Sequence, residues 1–522
     1  MIEPQSGITF GVLIADALSR YGDRTAFVQD ERTMSYFDAA SLASRMQQVF
    51  ESKGGVRGST IAALSVNVPE VWLARAATYL NGARYTGAHP MGSIDDHVDL
   101  CNDAEISILI VHPKFAESGM QIAARASSVK HVLTLGPAEH GEDLLALCEE
   151  VEARELTPLP GQDEEDIATL TYTGGSTGKP KGVMISQRAM VQQIQSVAAS
   201  WRLPLDPRTL ISTPITHAGS IPILPTLLRG GTVVLQQSFS PAPWLQAVQT
   251  HRINFAFTVP TLLYTLLDFE DLGNYDVSSF ETLIYGSSPM APARIVEAQT
   301  VFGATLLQVY GQTESLGMVS ALLPAEHDSA NRPGLLTSCG RPVVGTMVEV
   351  LDSSGAPVEE GVVGEICVRS RSVMSGYWKR PDETAEVLKG GWFWTGDMAY
   401  RDGEGFLHIV DRRKDMVITG GFNVYPREIE DVLTDDPTVS AAAVIGVPHE
   451  KWGEAVHAFV VARPGMTPDV ENLIATVKQR KGSHHAPKTL ELISELPVTK
   501  VGKIDKQALR ASYWEGSARA VN

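Results

Sequence analysis

Cysteine is scarce in this chain of 522 residues: Cys101, Cys148, Cys339 and Cys367 stand far apart, with no C-x-x-C pair and no Cys/His cluster. That spacing speaks against a zinc module and a disulfide framework, and fits reduced thiols in the cytoplasm. Long apolar runs are missing too, so no stable membrane insertion is expected. Met1-Ile2-Glu3-Pro4 has no basic stretch ahead of an apolar one, so no signal peptide is expected. Arg519-Ala520-Val521-Asn522 is not a peroxisomal address. Positive charge is in deficit: 43 Lys and Arg against 61 Asp and Glu leave a net charge of −18. General nucleic-acid binding needs a basic face and is not expected. Attraction to an anionic membrane is disfavoured for the same reason. Internal repeats and low-complexity tracts are absent, and a homodimer is left open.

What is present is ordinary for a globular chain, 43% hydrophobic and 20% charged, and too long for one core. Short apolar runs at 25–28, 61–66, 106–111, 132–135, 232–235, 255–258 and 282–284 read as buried strands. Helical patterns at 10–21 and 70–81 fall among them. The alternation predicts an α/β chain with largely parallel sheets. Segments 364–369 and 406–410 lie among Gly and Asp turns and predict a β-rich subdomain. Asp411-Arg412-Arg413-Lys414-Asp415 is charged throughout and reads as an exposed connector. Beyond it, strands at 439–447 and 455–461 and helices at 426–433 and 470–478 predict a small α+β domain.

The most informative stretch is Leu170–Val183. Thr173, Gly174, Gly175, Ser176, Thr177 and Gly178 bring hydroxyls and closely approachable backbone N–H groups, and Lys179 and Lys181 bring charge. Such a stretch can wrap a polyphosphate. It is no Walker A loop, because Pro180 follows Lys179. Read alone, a linker of small residues is the alternative.

Four further segments follow in order: Gln308–Glu314, Gly391–Asp397, Gly420–Pro426 and Leu496–Asp505. Together with 173–182 they resemble the adenylate-forming enzymes, the group of acyl-CoA synthetases, peptide-synthetase adenylation domains and firefly-type luciferases. The resemblance runs from about Tyr36 to Lys506. It implies a large N-terminal adenylation domain at 1–410, a hinge at 411–415 around Lys414, and a small mobile C-terminal lid at 416–522. It also implies ATP, Mg²⁺ and coenzyme A acting on a small-molecule carboxylic acid. Thr173, Gly174, Gly175, Ser176, Thr177 and Lys181 would clamp phosphates. Ser287, Tyr310, Gly311 and Thr313 would hold the nucleotide, with Tyr310 against adenine. Glu314, with Thr173, would hold the metal. Asp397 and Arg412 would hold the ribose, and Lys503 would supply positive charge at the reacting carboxylate and α-phosphate. Gly420, Gly421 and Phe422 would line the CoA path. His217, Gly219, Tyr285, Gly286 and Gly311 would surround the acyl group. Without the resemblance, 308–314 reads as a polar strand end, Asp397 as a turn residue, Gly420–Gly421 as a turn, and Lys503 as a solvated lysine.

Ile211–Leu228 contains no Asp, Glu, Lys or Arg. An unpaired buried charge is costly, so an uncharged acid tail is expected, fatty or bulky and cyclic or aromatic. Three positions depart from the usual family pattern: Gly174-Gly175, Ser287-Ser288 and Gln312. A carrier protein in place of CoA, specialisation for one half-reaction, or a non-catalytic nucleotide- or acyl-binding relative stays open.

Overall fold

Runs such as Ile106–Val111 are too apolar and too short for anything but a strand covered on both faces, and the fold uses them so. In a computed structural model, residues 7–173, 180–216, 218–303, 306–413, 415–419, 422–449, 451–499 and 503–514 are described. Two large sheets dominate. In the first, strands Arg84–Ala88, Thr60–Leu64, Ile106–Val111 and His131–Thr134 run parallel. Ile167–Thr173 joins them, and Lys181–Ser186 pairs antiparallel with it. In the second, Leu306–Tyr310, Thr282–Gly286, Phe255–Thr258, Arg208–Ile211, Thr232–Leu235 and Thr25–Gln29 are parallel neighbours.

A third sheet is antiparallel: Thr346–Leu351, Gly364–Ser370, Trp392–Arg401 and Leu407–Arg412. A fourth uses only residues beyond 416: Phe422–Val424, Val417–Thr419, Gly453–Ala462, Val439–His449 and Thr489–Ile493. Helices Pro426–Thr434 and Val470–Lys481 bury Ile429, Val432, Leu433, Leu473 and Val477 against it. The expected α/β class with a β-rich part and a smaller α+β part is therefore what the chain builds. Among the described residues, no helix is long and apolar enough to cross a membrane.

Thr173 stands directly opposite Lys181 in an antiparallel pair. One expectation is corrected: the run 411–415 is not wholly exposed. Asp411 is buried at the end of strand Leu407–Arg412, where it accepts from the backbone N–H groups of Arg412 and Arg427. A charge run is exposed only when no neighbour satisfies it, and here a helix start folds back onto the first carboxylate.

Gly340 stitches the second sheet to the third: its carbonyl accepts from Leu407 N at 2.9 Å. Its φ is +87°, and a Cβ there would lie 1.9 Å from the Ala321 carbonyl oxygen. Gly340→Ala is therefore expected to cost on the order of 3 kcal/mol. Thermal melting should show the loss as a drop of several degrees.

Candidate active site

The carboxyl ends of neighbouring parallel strands form a natural crevice in an open α/β sheet. Here strands Thr282–Gly286 and Leu306–Tyr310 deliver Ser287 and the 310–314 segment to one such edge. Backbone lines it closely. A Cβ on Gly286 would meet Val309 at 2.7 Å, and one on Gly311 would meet Gly317 at 2.4 Å. Ser287 has φ +71°, a conformation that glycine adopts without strain.

Asp397 is the meeting point of the site and is 4% exposed. One carboxylate oxygen accepts from the Tyr310 hydroxyl at 2.6 Å and from Gln312 Nε2 at 2.6 Å. The other oxygen faces Arg412 Nε at 3.2 Å, its direct partner in the strand register. Gln312 also donates to the Thr395 carbonyl. Burial and the Asp397 carboxylate push the Tyr310 hydroxyl far above its ordinary range, so it remains a donor.

Glu314 lies in the short turn Thr313–Ser315. The Tyr377 hydroxyl donates to Glu314 Oε1 at 2.9 Å. Lys181 sits over the Tyr377 ring at 5.1 Å and pairs with Glu383. A chain of contacts thus links Lys181, just after the glycine-rich stretch, to Glu314.

Lys503 comes from the far end of the sequence. It closes a turn in which Thr499 N donates to the Lys503 carbonyl at 2.7 Å and Lys503 N donates to Thr499 Oγ1 at 3.2 Å. Desolvation, then repulsion from Arg412, lowers its ammonium to about 8, with Asp397 and Glu314 pulling the other way. Lys503, Arg412, Asp397 and Glu314 therefore share one electrostatic environment.

The loop from Thr213 to Ser220 is tethered from the helix Pro69–Leu80 and the residues before it. Asn67 donates to the Thr213 carbonyl and accepts from Ile215 N. Arg75 donates to the Ile215 carbonyl and Ser220 Oγ, its guanidinium resting on the Tyr79 and Tyr85 rings. Gly219 is buried under Thr213, whose carbonyl a Cβ would meet at 2.6 Å. Tyr285 departs from the expected acyl-lining place. Strand alternation turns its ring into the core, and its hydroxyl is shared with Gln308 and His327. Phe422 is exposed and stacks on His484 at 4.0 Å. Gly174, Gly175, Ser176, Thr177, His217, Lys414, Gly420 and Gly421 lie outside the described residues.

Two partners escaped the sequence reading. Gln312 lies inside the segment Gln308–Glu314, where its one signal in the sequence is its departure from the usual family pattern. Tyr377 carried no motif at all; it reaches Glu314 because Gly376–Tyr377 pairs with the strand Lys181–Ser186.

The donor set fits a magnesium nucleotide. Among the described residues no cluster of three His, Cys, Asp or Glu forms a cage. Mg²⁺ characteristically takes one or two carboxylates and completes its shell with phosphates and water. Glu314 suits that role, and Arg412 and Lys503 suit the anion. The exposed Phe422–His484 pair offers a flat aromatic face on the small domain.

Matches to known proteins agree with this geometry. Residues 14–378 match the family model described as AMP-binding enzyme, and residues 428–503 match that of the AMP-binding enzyme C-terminal domain. A medium/long-chain-fatty-acid–CoA ligase, FadD8, of Mycobacterium tuberculosis is 40% identical over 98% of this chain and 91% of its own length. A feruloyl-CoA synthase of an Amycolatopsis species is 35% identical over 94% of this chain and 96% of its own. The structure of the amide bond synthetase McbA of Marinactinospora thermotolerans superposes with a TM-score of 0.88 at 33% identity, covering 96% of this chain and 99% of that one.

Asp411 makes the connector sensitive to pH. Burial, with Glu430 and Asp415 nearby, raises its carboxyl from 3.8 to about 6, against the pull of Lys506. The folded chain then holds a proton there that the unfolded chain has lost between about pH 4 and pH 6. Stability contributed by this group falls as pH rises through that window, by about 3 kcal/mol at most. In Asp411→Asn the slope disappears. The midpoint of urea unfolding in the variant, minus that of the parent, should rise from pH 4 to pH 6.

Proposed function

The chain belongs to the AMP-binding enzymes, and from that premise we propose how its residues share the two steps of an ATP-dependent ligation of a carboxylic acid to coenzyme A. It is an acid–thiol ligase that uses ATP, Mg²⁺ and CoA. The reaction overcomes a simple obstacle: a carboxylate is too electron-rich for a thiol to attack. In the first step a carboxylate oxygen bonds to the α-phosphorus of ATP and the bond to pyrophosphate breaks. In the second, the thiolate sulfur bonds to the acyl carbon and the bond to AMP breaks.

The observation that carries the assignment is the convergence of Lys503 with Arg412, Asp397 and Glu314. Lys503 and Arg412 place two positive charges where carboxylate and phosphate must meet, in a partly desolvated setting that strengthens them. Asp397, fixed by Tyr310 and Gln312, accepts from the ribose hydroxyls. Glu314, oriented by Tyr377, holds the metal ion, which would neutralise charge on the phosphates. Thr173 and Lys181, paired across adjacent strands, flank the phosphate-binding stretch. Gly286, Gly311 and Gly219 form the narrow walls of the acyl site, with His217 on the tethered loop.

The division 1–410, 411–415 and 416–522 gives this arrangement its motion. Lys503 and Gly420–Gly421 belong to the small domain and serve different steps, so that domain turns about Lys414 between them. The charge-free stretch 211–228 and the fatty and feruloyl acids of the named relatives support an acid with an uncharged tail.

A panel of fatty, cinnamic and cyclic acids tests the function through pyrophosphate release with and without CoA. Turnover that needs CoA and yields the acyl thioester is expected. Silence with every acid would overturn it, and turnover only with a carrier protein would replace CoA as acceptor. For the residue assignment, Lys503→Ala should lower acyl-adenylate formation by about 100-fold or more while sparing thioester formation from supplied acyl-AMP. Equal losses in both assays would remove Lys503 from its role.

A further inference from the structure

The small domain touches the large one at a second place, on the helices Pro260–Leu267 and Pro292–Phe302. Arg294 is fully buried there. It donates to Asp268 Oδ1 at 2.8 Å and to Glu297 Oε2 at 2.9 Å, and its guanidinium lies over the Tyr264 ring at 4.9 Å. Asp268 caps the C-terminal end of its helix, where the helix dipole disfavours a carboxylate. It is not there for the helix.

Both carboxylates carry a second bond, and both second bonds come from the small domain. Ser440 Oγ donates to Asp268 Oδ2 at 3.0 Å. Arg463 Nη1 donates to Glu297 Oε2 at 3.4 Å. Arg427, held by Asp431 on its own helix, adds a bond to the Met290 carbonyl at 3.3 Å. One buried guanidinium thus orients two carboxylates, and the small domain presents its donors to both.

We propose that Asp268, Arg294 and Glu297 form a docking plate that holds the small domain in the orientation with Lys503 in the active site, so that these are positioning residues for the adenylate-forming step. The inference rests on the assignment of Lys503 to that step. The plate also explains its own selectivity. When the small domain turns to present Gly420–Gly421, Ser440, Arg427 and Arg463 leave the plate with it. Arg294 stays behind and keeps Asp268 and Glu297 paired, so separation leaves neither carboxylate without a cation. Docking is then reversible and favours one step over the other.

The test uses the full-length enzyme with Ser440 and Arg463 changed to alanine together, two side chains outside the catalytic set. Acid-dependent pyrophosphate release should fall about tenfold in kcat, with KM for ATP little changed. Thioester formation from supplied acyl-AMP should stay at the parental rate or rise. Arg463→Lys, which keeps the charge, should restore most of the loss in an otherwise parental background relative to Arg463→Ala. Equal losses in both steps would make the plate a merely structural contact and overturn the proposal, as would no loss in either. If the doubly changed protein melts well below the parent, Arg463→Ala alone gives the same split on a smaller scale. A parental enzyme that releases pyrophosphate with no acid would instead sink the functional reading itself.

Discussion

The Asp397 carboxylate is where the parts of this molecule meet. It stands on the third sheet, takes hydrogen bonds from Tyr310 and Gln312 at the edge of the second, and faces Arg412 at the end of the strand that leads into the connector. Lys503 feels the same charge from the small domain. A buried carboxylate is costly unless charged and hydrogen-bonding partners surround it. Satisfying Asp397 therefore requires that three segments, distant in sequence, arrive at one point. The active site is assembled as a by-product of that requirement.

A chain with a net charge of −18 must handle anionic substrates by local arrangement. The cations of the site are each committed. Arg412 answers Asp397, and Lys181 answers Glu383 and the Tyr377 ring. Lys503 is held where desolvation and Arg412 weaken its grip on a proton, so an arriving anion restores what burial removed. Long-range repulsion between protein and nucleotide is screened within about 10 Å at ordinary salt. Short-range placement decides the outcome.

Two sets of contacts involve the small domain. Near the connector, Asp415 holds Arg510 at 2.7 Å, and Lys506 holds Glu430 at 2.7 Å beside the buried Asp411. Lys506 and Glu430 both lie beyond the connector, and Asp415 is its last residue. The Asp268–Arg294–Glu297 group meets the small domain through other elements, its strands and the helix Pro426–Thr434. Free energy placed there acts on orientation more than on folding.

The sequence by itself determined part of the secondary structure: the strands and helices it named fell within a few residues of their observed ends, while others, such as the helices Tyr36–Ser52 and Gln187–Ser200, it did not name. It also located the segments that converge, through their joint resemblance to the adenylate-forming enzymes; read singly, 308–314, Asp397 and Lys503 have plain structural readings. Tertiary structure alone decided that Asp411 is buried, that Tyr285 turns inward, and that Gln312 and Tyr377 serve Asp397 and Glu314. It alone put Arg294 beneath two carboxylates that reach the other domain. The reason is physical. Periodicity and turn chemistry act between neighbours along the chain. Desolvation and ion pairing depend on which surfaces are pressed together, and the partners Tyr310 and Asp397 stand 87 residues apart.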